Sequence, residues 1–324
     1  MEIDEKLAET INQIFVDAIQ NNSMSEIASL IIQYLGNTKK EHETLFKSLL
    51  LANQRGKFFT LRGFCEDNGI GTLWNPKRAF EFFKTGASSG ETSAYRFMAY
   101  CFLEGIGTNK DEKEYFEWTK KYAETGSPMG YFRLGVSFED GIGTDIDLTS
   151  AFQWYEKSAH ADNPFGQLHL AVSYMDGLGT EKNQNLGFEW MKKVATSERT
   201  SPEAQYNLAT YYFKGFGTAV NYESAFYWYR RSTLLGDPDA AYHLGKQYFD
   251  GQGTDIHQNK AFRAWMKAAH LKGAKHELAV CYDEGEGTNK DMHEAIKWYR
   301  RAISVGHAYS FNCLKLVFRN IRFH

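Results

Sequence analysis

The chain has 324 residues, of which 43% are hydrophobic and 24% are charged, and its formal net charge at pH 7 is −3. Because this near-neutral balance provides no strong positive field to hold phosphates, it argues against a nucleic-acid partner. The first residues lack the features of a secretory signal, and no apolar run has the length of a membrane span. We therefore expect a cytoplasmic protein without membrane insertion.

Residues 1–56 show helical spacing of apolar side chains but no repeat. The apolar stretches lie at 7–19, 25–35 and 42–51. We predict that this domain consists of about three capping helices, because the end of a repeat array cannot leave its apolar face open to water.

A GxGT tetrapeptide then recurs seven times and organises residues 57–306. Its first glycine stands at Gly69, Gly105, Gly141, Gly177, Gly215, Gly251 and Gly285. This near-constant spacing identifies seven structural repeats of about 36 residues. A phosphate-binding loop would need a preceding strand, whereas helical patterns flank each GxGT on both sides. Positions within a repeat are numbered from this first glycine, so that −7 lies seven residues before it.

A helix, called helix A, is predicted before each GxGT. A small residue at −11, a large one at −7, Gly or Ala at −6 and an aromatic at −3 form one apolar stripe, as in Ala240, Leu244, Gly245 and Tyr248. In four repeats a proline preceded by a capping residue predicts that helix A begins at −13.

A second helix, called helix B, is predicted after each GxGT. Six of the seven repeats have a capping Asn or Asp at +6, and Trp118, Trp154, Trp190, Trp228 and Trp298 stand at +13. Gly90, Gly126, Gly236 and Gly306 at +21 predict where helix B ends. The glycines of GxGT are predicted to turn the chain between the two helices with positive φ and to let these helices approach closely.

Residues 307–324 are predicted to form a solitary final helix A. Ser310, Leu314 and Phe318 match positions −11, −7 and −3.

The four cysteines, Cys65, Cys101, Cys281 and Cys313, form no CxxC pair. Three of them share one repeat position, and equivalent positions on stacked helices lie about 8–10 Å apart, too far for a disulfide. Buried free thiols are therefore favoured over a redox or metal site.

The repeat resembles the Sel1-like repeat family, which is related to the tetratricopeptide type. Ala240 to Gly253 match the family segment A-x-x-x-L-G-x-x-Y-x-x-G-x-G, and Ser224 to Tyr229 approach its K-A-x-x-W-Y segment. The resemblance covers residues 57–306 and implies an all-α fold, a right-handed α-solenoid of about seven antiparallel two-helix repeats with helical caps. Family members often serve bacterial signalling, host interaction or assembly. The paired cysteines of secreted members are absent, which supports an intracellular protein.

A search for catalytic and metal-binding motifs gives no candidate. The ten histidines are scattered, and HExxH and GxSxG are absent. We predict no enzyme activity, no cofactor and no metal, although a site assembled from distant repeats would escape a motif search.

The far side of helix A is the best candidate for a functional surface. Positions −9, −5 and −2 lie about 140–160° from the buried direction, and in a tetratricopeptide-type superhelix this side lines the concave groove. Aromatic and aliphatic residues are more frequent there than a solvated face requires. The residues predicted to bind a partner are Arg96, Tyr100, Phe132, Leu168, Met175, Tyr206, Phe213, Tyr242, Lys246, Phe249 and His276. The alternative is that curvature packs some of them against the next helix A.

These patterns predict a non-enzymatic adaptor that binds a helix, loop or extended segment of a protein partner in its concave groove. Tyr206, Phe213, Tyr242 and Phe249 are predicted to form its strongest contacts and to face away from helix B. An inhibitor, such as an immunity protein that occludes a toxin, is a second hypothesis. An enzyme or a small-ligand receptor is a third.

Overall fold

The computed structural model is all-α and describes residues 5–19, 24–35, 42–47, 49, 58–198 and 200–322. It begins with α1 (Glu5–Ile19) and α2 (Met24–Leu35), and residues 42–47 are also helical. Residues 48, 50 and 51, which the sequence placed in a third capping helix, lie outside the described residues. Phe15 of α1 contacts the rings of Phe64 and Phe97, at centroid distances of 5.2 and 5.6 Å. The helix α1 therefore packs on the first two repeats.

The seven predicted repeats follow as consecutive pairs of helices. The A helices are α3 (Phe59–Asn68), α5 (Ser93–Glu104), α7 (Pro128–Asp140), α9 (Pro164–Asp176), α11 (Pro202–Lys214), α13 (Pro238–Asp250) and α15 (Lys272–Glu284). The B helices are α4 (Pro76–Ser88), α6 (Glu112–Glu124), α8 (Leu148–His160), α10 (Gln184–Thr196), α12 (Tyr222–Leu234), α14 (Gln258–Lys267) and α16 (Met292–Ser304). A final helix, α17 (Ala308–Arg322), packs against α16. The predicted α-helical repeat solenoid is confirmed.

Capping side chains determine where most helices begin. Ser127, Asn163, Ser201 and Asp237 each accept a hydrogen bond from the backbone N–H three residues later, and a proline follows each of them. At position +6, Asn75, Asp111, Asp147, Asn183, Asn221 and Asp291 cap their B helices in the same way. His257 makes no such hydrogen bond. The predicted starts of both helices are therefore confirmed.

Both glycines of each GxGT have positive φ, as in Gly141 at 70° and Gly143 at 73°. A Cβ atom on Gly143 would overlap the carbonyl oxygen of Glu112, the first residue of helix B in the preceding repeat. Gly179 and Gly217 meet the corresponding helix starts in the same way. The predicted backbone conformation is confirmed, but the close approach at the second glycine joins neighbouring repeats rather than the two helices of one repeat.

The residue at position +14 of helix B connects three helices. A Cβ atom on Gly135, at −6 of helix A, would lie 2.6 Å from the Tyr155 ring, so the glycine leaves the space that this ring fills. The same ring lies 4.8 Å from His169, at −8 of the next helix A. Tyr229 and His243 repeat this pair in the second half of the chain, with centroids 5.2 Å apart. Large residues at +14 thus hold successive repeats together.

Three of the four cysteines are buried, as predicted, and all four are free. Burial raises the pKa of the Cys65, Cys101 and Cys281 thiols to about 12.

In α17, Ser310 and Leu314 are buried as expected, but Phe318 is 41% exposed. In five other repeats the ring at −3 packs edge-on against a phenylalanine at +11 of the preceding repeat. The residue at that position before α17 is Ile296, so Phe318 lacks an aromatic partner there.

Contacts between residues divide the chain into two compact units. The first contains Met1–Ser173 and Gly177–Lys182, and the second contains Tyr174–Asp176 and Asn183–His324. The division into 1–56, 57–306 and 307–324 that the sequence suggests stays a prediction. Within the described ranges, no helix combines the length and the apolar character needed to cross a membrane.

Candidate functional site

The structure buries five of the eleven residues that the sequence placed on an open binding surface. These are Arg96, Phe132, Leu168, Met175 and His276. Phe132, for example, stacks on Phe165 of the next helix A at 5.4 Å and contacts His169 at 5.1 Å. The prediction of exposure is wrong for these five, because neighbouring helices cover part of the face that was read as open.

His276 shows the same packing at the start of α17. Its Nδ1 lies 3.0 Å from the Ser310 hydroxyl, and its ring stacks on His307 at 4.6 Å. Burial, with a smaller contribution from His307, lowers the pKa of His276 to about 4. The imidazole is therefore neutral near pH 7 and connects helix A of repeat 7 to α17.

The other six predicted residues remain partly open to solvent. Lys246 is exposed, and the half-buried ones are Tyr100, Tyr206, Phe213, Tyr242 and Phe249. The last four lie on α11 and α13, the A helices of repeats 5 and 6. We call Tyr206, Phe213, Tyr242, Lys246 and Phe249 the aromatic patch.

The rings of the aromatic patch are held by aromatic contacts. Phe213 lies 5.2 Å from Tyr222 and 6.5 Å from Tyr229, and Phe249 lies 5.6 Å from Trp265. These contacted residues belong to the B helices, so the prediction that Phe213 and Phe249 face away from helix B is wrong. Position −2 is close enough to the end of helix A for a large ring to reach the following helix.

The two tyrosines of the patch contact the next helix A, and Tyr206 also lies 5.8 Å from Tyr229 of helix B, so the prediction that it faces away from helix B is wrong as well. Tyr206 lies 5.8 Å from His243, and the Tyr242 ring lies against Gly273, where a Cβ atom would be 3.0 Å away. Partial burial raises the pKa of both phenols. Each ring is thus fixed on one side while part of its surface stays accessible.

A polar group accompanies the aromatic residue at +14 in three repeats. In repeat 3, the Tyr155 hydroxyl donates a hydrogen bond to Glu139, and His169 Nδ1 lies 3.5 Å from the same carboxylate. The hydrogen bond from His169, followed by that from Tyr155, lowers the pKa of Glu139. In repeat 5, the Tyr229 hydroxyl lies 3.0 Å from that of Thr210.

Repeat 7 has the same arrangement without the histidine. The Tyr299 hydroxyl donates to Asp283 Oδ2 at 3.3 Å, and the residue in the place of His169 is Cys313. A groove of about 940 Å³ opens beside this group. Its lining residues are Val280, Asp283, Glu284, Lys290, Met292, Tyr299, Tyr309, Cys313, Leu316 and Val317.

Sequence reasoning missed this groove because it compared helix A positions only with one another. The polar residues beside the groove come from three helices. They are Asp283 at −2 of helix A, Tyr299 at +14 of helix B and Cys313 at −8 of the next helix A. Comparing these three positions along the repeats would have shown that Asp283 has a tyrosine but no histidine.

The cations of helix B have a local structural role. Lys121, Lys157 and Lys193 place their ammonium groups over the tryptophan three residues earlier, at 4.0, 3.9 and 4.9 Å from the ring centroid. Arg231 and Arg301 do the same at 5.3 and 4.6 Å. In the part of the chain that the structure describes, no group of three His, Cys, Asp or Glu side chains is arranged to hold a metal ion.

Comparison with known structures and sequences shows which proteins this chain resembles. The structure is similar to that of a Sel1 repeat protein from Oxalobacter formigenes, at 21% identity and a TM-score of 0.69, over 98% of this chain and 89% of that chain. The protective antigen c5321 of uropathogenic Escherichia coli is also 21% identical, over 86% of this chain and 76% of that chain, with a TM-score of 0.47. Immunity protein Pa5087 from Pseudomonas aeruginosa is 20% identical over 63% and 76%, with a TM-score of 0.40.

The first likeness shows the fold alone, and the other two structures are too distant to support more. No curated protein sequence matches this chain. A family model described as Sel1 repeat matches residues 62–91, 92–127, 128–163, 164–197, 202–237, 238–269 and 273–307. Since these segments cover most of the chain and coincide with its seven helix pairs, the chain belongs to the Sel1 repeat family.

Proposed function

We propose that this chain is a non-enzymatic scaffold or adaptor, and that its aromatic patch binds a helix, loop or extended segment of a protein partner. The observation that carries the proposal is that all four aromatic rings of the patch are half-buried and lie on two consecutive repeats. Packing has already removed much of their rotamer freedom, so a partner can bury the open ring surface at a low entropic cost. Tyrosine is also a residue type in which binding energy is often concentrated.

Charge supports a protein partner as well. Lys246 is exposed beside the tyrosine and phenylalanine rings of α13, and it offers one cation to an acidic group of the partner. The overall charge of −3 disfavours nucleic acid. We place this activity in the cytoplasm, and the four free cysteines support a reducing compartment.

The proposal is tested by finding a partner through copurification and titrating it calorimetrically against Tyr242→Ala with Phe249→Ala. Because each ring is a central anchor, we expect at least about a hundredfold weaker binding, the effect of two losses of roughly 1.4 kcal/mol each. The contact between Phe249 and Trp265 means that the melting temperature also falls.

Two further variants separate binding from folding. Lys246→Gln removes the charge of an exposed side chain and should weaken an acidic partner, and a thermal melt checks its fold, because Lys246 also acts on the partly buried carboxylate of Glu277. Tyr227→Ala with Leu234→Ala removes two exposed apolar side chains from α12 and should leave affinity unchanged. Equal affinity of the wild type and the patch variants would place the binding site elsewhere. An activity assay of the partner distinguishes a scaffold from an inhibitor.

A further inference from the structure

The groove of repeat 7 uses none of the residues of the aromatic patch. It lies between α15, α16 and α17, all within the second compact unit. One part of its wall is apolar, with Met292, Val317 and the 56% exposed side chain of Leu316. Another part carries the adjacent carboxylates of Asp283 and Glu284. The groove thus offers both an apolar contact and negative charge.

The equivalent place in repeat 3 shows what this groove lacks. There the carboxylate of Glu139 receives the Tyr155 hydroxyl and also has His169 as a basic neighbour at 3.5 Å. In repeat 7, Asp283 has the corresponding tyrosine, but a thiol occupies the place of the imidazole. The polar group of repeat 7 therefore contains the acceptor and the phenol without the basic side chain.

The nearest cation named at this groove acts on Asp283 only at longer range. Among the residues whose side chains the structure describes, no lysine, arginine or histidine nitrogen lies within ion-pair distance of Asp283, and Lys290, which lines the same groove, lowers the pKa of Asp283 less than burial raises it. Partial burial and, secondarily, the neighbouring Glu284 carboxylate raise the pKa of Asp283. A cation brought into the groove would stabilise the ionised form of Asp283.

We propose that this groove binds a protein segment that presents a lysine or arginine beside an apolar side chain. The cation lies against Asp283 and Glu284 and takes the role that His169 has toward Glu139. The apolar side chain packs on Met292, Leu316 and Val317. This second site goes beyond the proposed function, since it can exist whether or not the aromatic patch binds a partner.

The probe is a library of short random peptides displayed on phage and selected on the full chain. Individual peptides are then synthesised and titrated against purified variants. We expect selected peptides to contain a lysine or arginine next to an apolar residue. Asp283→Asn with Glu284→Gln should weaken them at least about tenfold, because it removes the charged acceptors. Glu223→Gln with Asp255→Asn, which neutralises two exposed acids elsewhere in the same unit, is the matched control.

Cys313 provides two independent readouts. Cys313→His supplies the basic side chain present in repeat 4, so it should pair with Asp283 and also weaken the peptides at least about tenfold. In the wild type, Cys313 is the half-buried thiol, whereas Cys65, Cys101 and Cys281 are buried. A bound peptide should therefore slow the alkylation of Cys313 by iodoacetamide, as measured by mass spectrometry.

Several outcomes would overturn the inference. These are selection of no peptide, selection of peptides without basic residues, unchanged affinity in the Asp283→Asn with Glu284→Gln variant, or alkylation of Cys313 at the same rate with peptide bound. Peptides that respond only to Tyr242→Ala with Phe249→Ala would overturn this inference and support the proposed function. Peptides that respond only to the groove variants would support this inference and leave the proposed function to its own test. Circular dichroism melts identify any variant that has lost its fold.

Discussion

At the scale of single residues, the second glycine of GxGT combines two requirements that are usually separate. Gly143 has a φ of 73°, which a side chain disfavours, and its Cα faces the carbonyl oxygen of Glu112 too closely for a Cβ atom. Gly126, at the end of a B helix, also has a positive φ, of 81°, but a Cβ atom there would meet no crowded neighbour. The two positions therefore allow backbone strain and steric overlap to be measured apart.

We predict that Gly143→Ala destabilises the chain more than Gly126→Ala does. The positive φ costs about 1 kcal/mol at either position. The overlap with the preceding repeat adds roughly 1–3 kcal/mol at Gly143 alone. Thermal and urea unfolding of both variants measures the difference. Equal losses of stability would mean that the approach between repeats relaxes without cost.

Residue-scale reasoning from sequence succeeded where the cause is local and failed where it is not. The cap at Asn163 depends on its own backbone and the next three residues, so the sequence contains all of it. The burial of Phe132 depends on the distance to the next helix A. The 100° helical step gives the direction of a side chain, but it does not say what lies in that direction.

At the scale of helices, α17 completes the packing of repeat 7. Among residues 308–318 of this helix, the buried side chains are Ser310, Leu314 and Val317, and the helix contacts α16. The Ser310 hydroxyl also lies 3.0 Å from His276 on α15. This helix therefore covers apolar surface of repeat 7 and supplies a polar contact as well.

Deletion of residues 307–324 should expose that surface and cause aggregation, because repeat 7 would lose its cover. Light scattering after size exclusion, together with a thermal melt, measures both effects. Val317→Asp tests the same contact with a single buried charge, and Asn312→Asp on the exposed side of α17 is its control. A monomeric truncation with unchanged stability would show that α17 contributes nothing to repeat 7.

At the scale of the whole molecule, periodicity made the fold predictable, while the candidate site depends on departures from periodicity. Seven copies of GxGT with matching caps define the helix pairs, because each copy carries the same turn glycines and capping residues at the same spacing. The polar group of repeat 7 lacks the imidazole found in repeat 3, because Cys313 stands in the place of His169. Such a difference between repeats becomes visible only when the structure shows which positions of neighbouring helices meet.

A repeat array whose units contact only their neighbours should respond locally to a local defect. Gly135 and Gly245 occupy position −6 in repeats 3 and 6, and each leaves room for the ring of Tyr155 or Trp265. Gly135→Val and Gly245→Val therefore introduce the same defect, one in each compact unit, at a cost of roughly 1–3 kcal/mol.

Hydrogen exchange followed by mass spectrometry should locate the two effects. We expect Gly135→Val to speed exchange in α7, α8 and the adjoining helices while α13 and α14 keep the wild-type rate, since opening one repeat removes protection mainly from its neighbours. Gly245→Val should give the opposite pattern. If either variant raised exchange evenly along the described helices, the chain would be one cooperative unit, and stability at the aromatic patch could not be separated from stability in the first repeats.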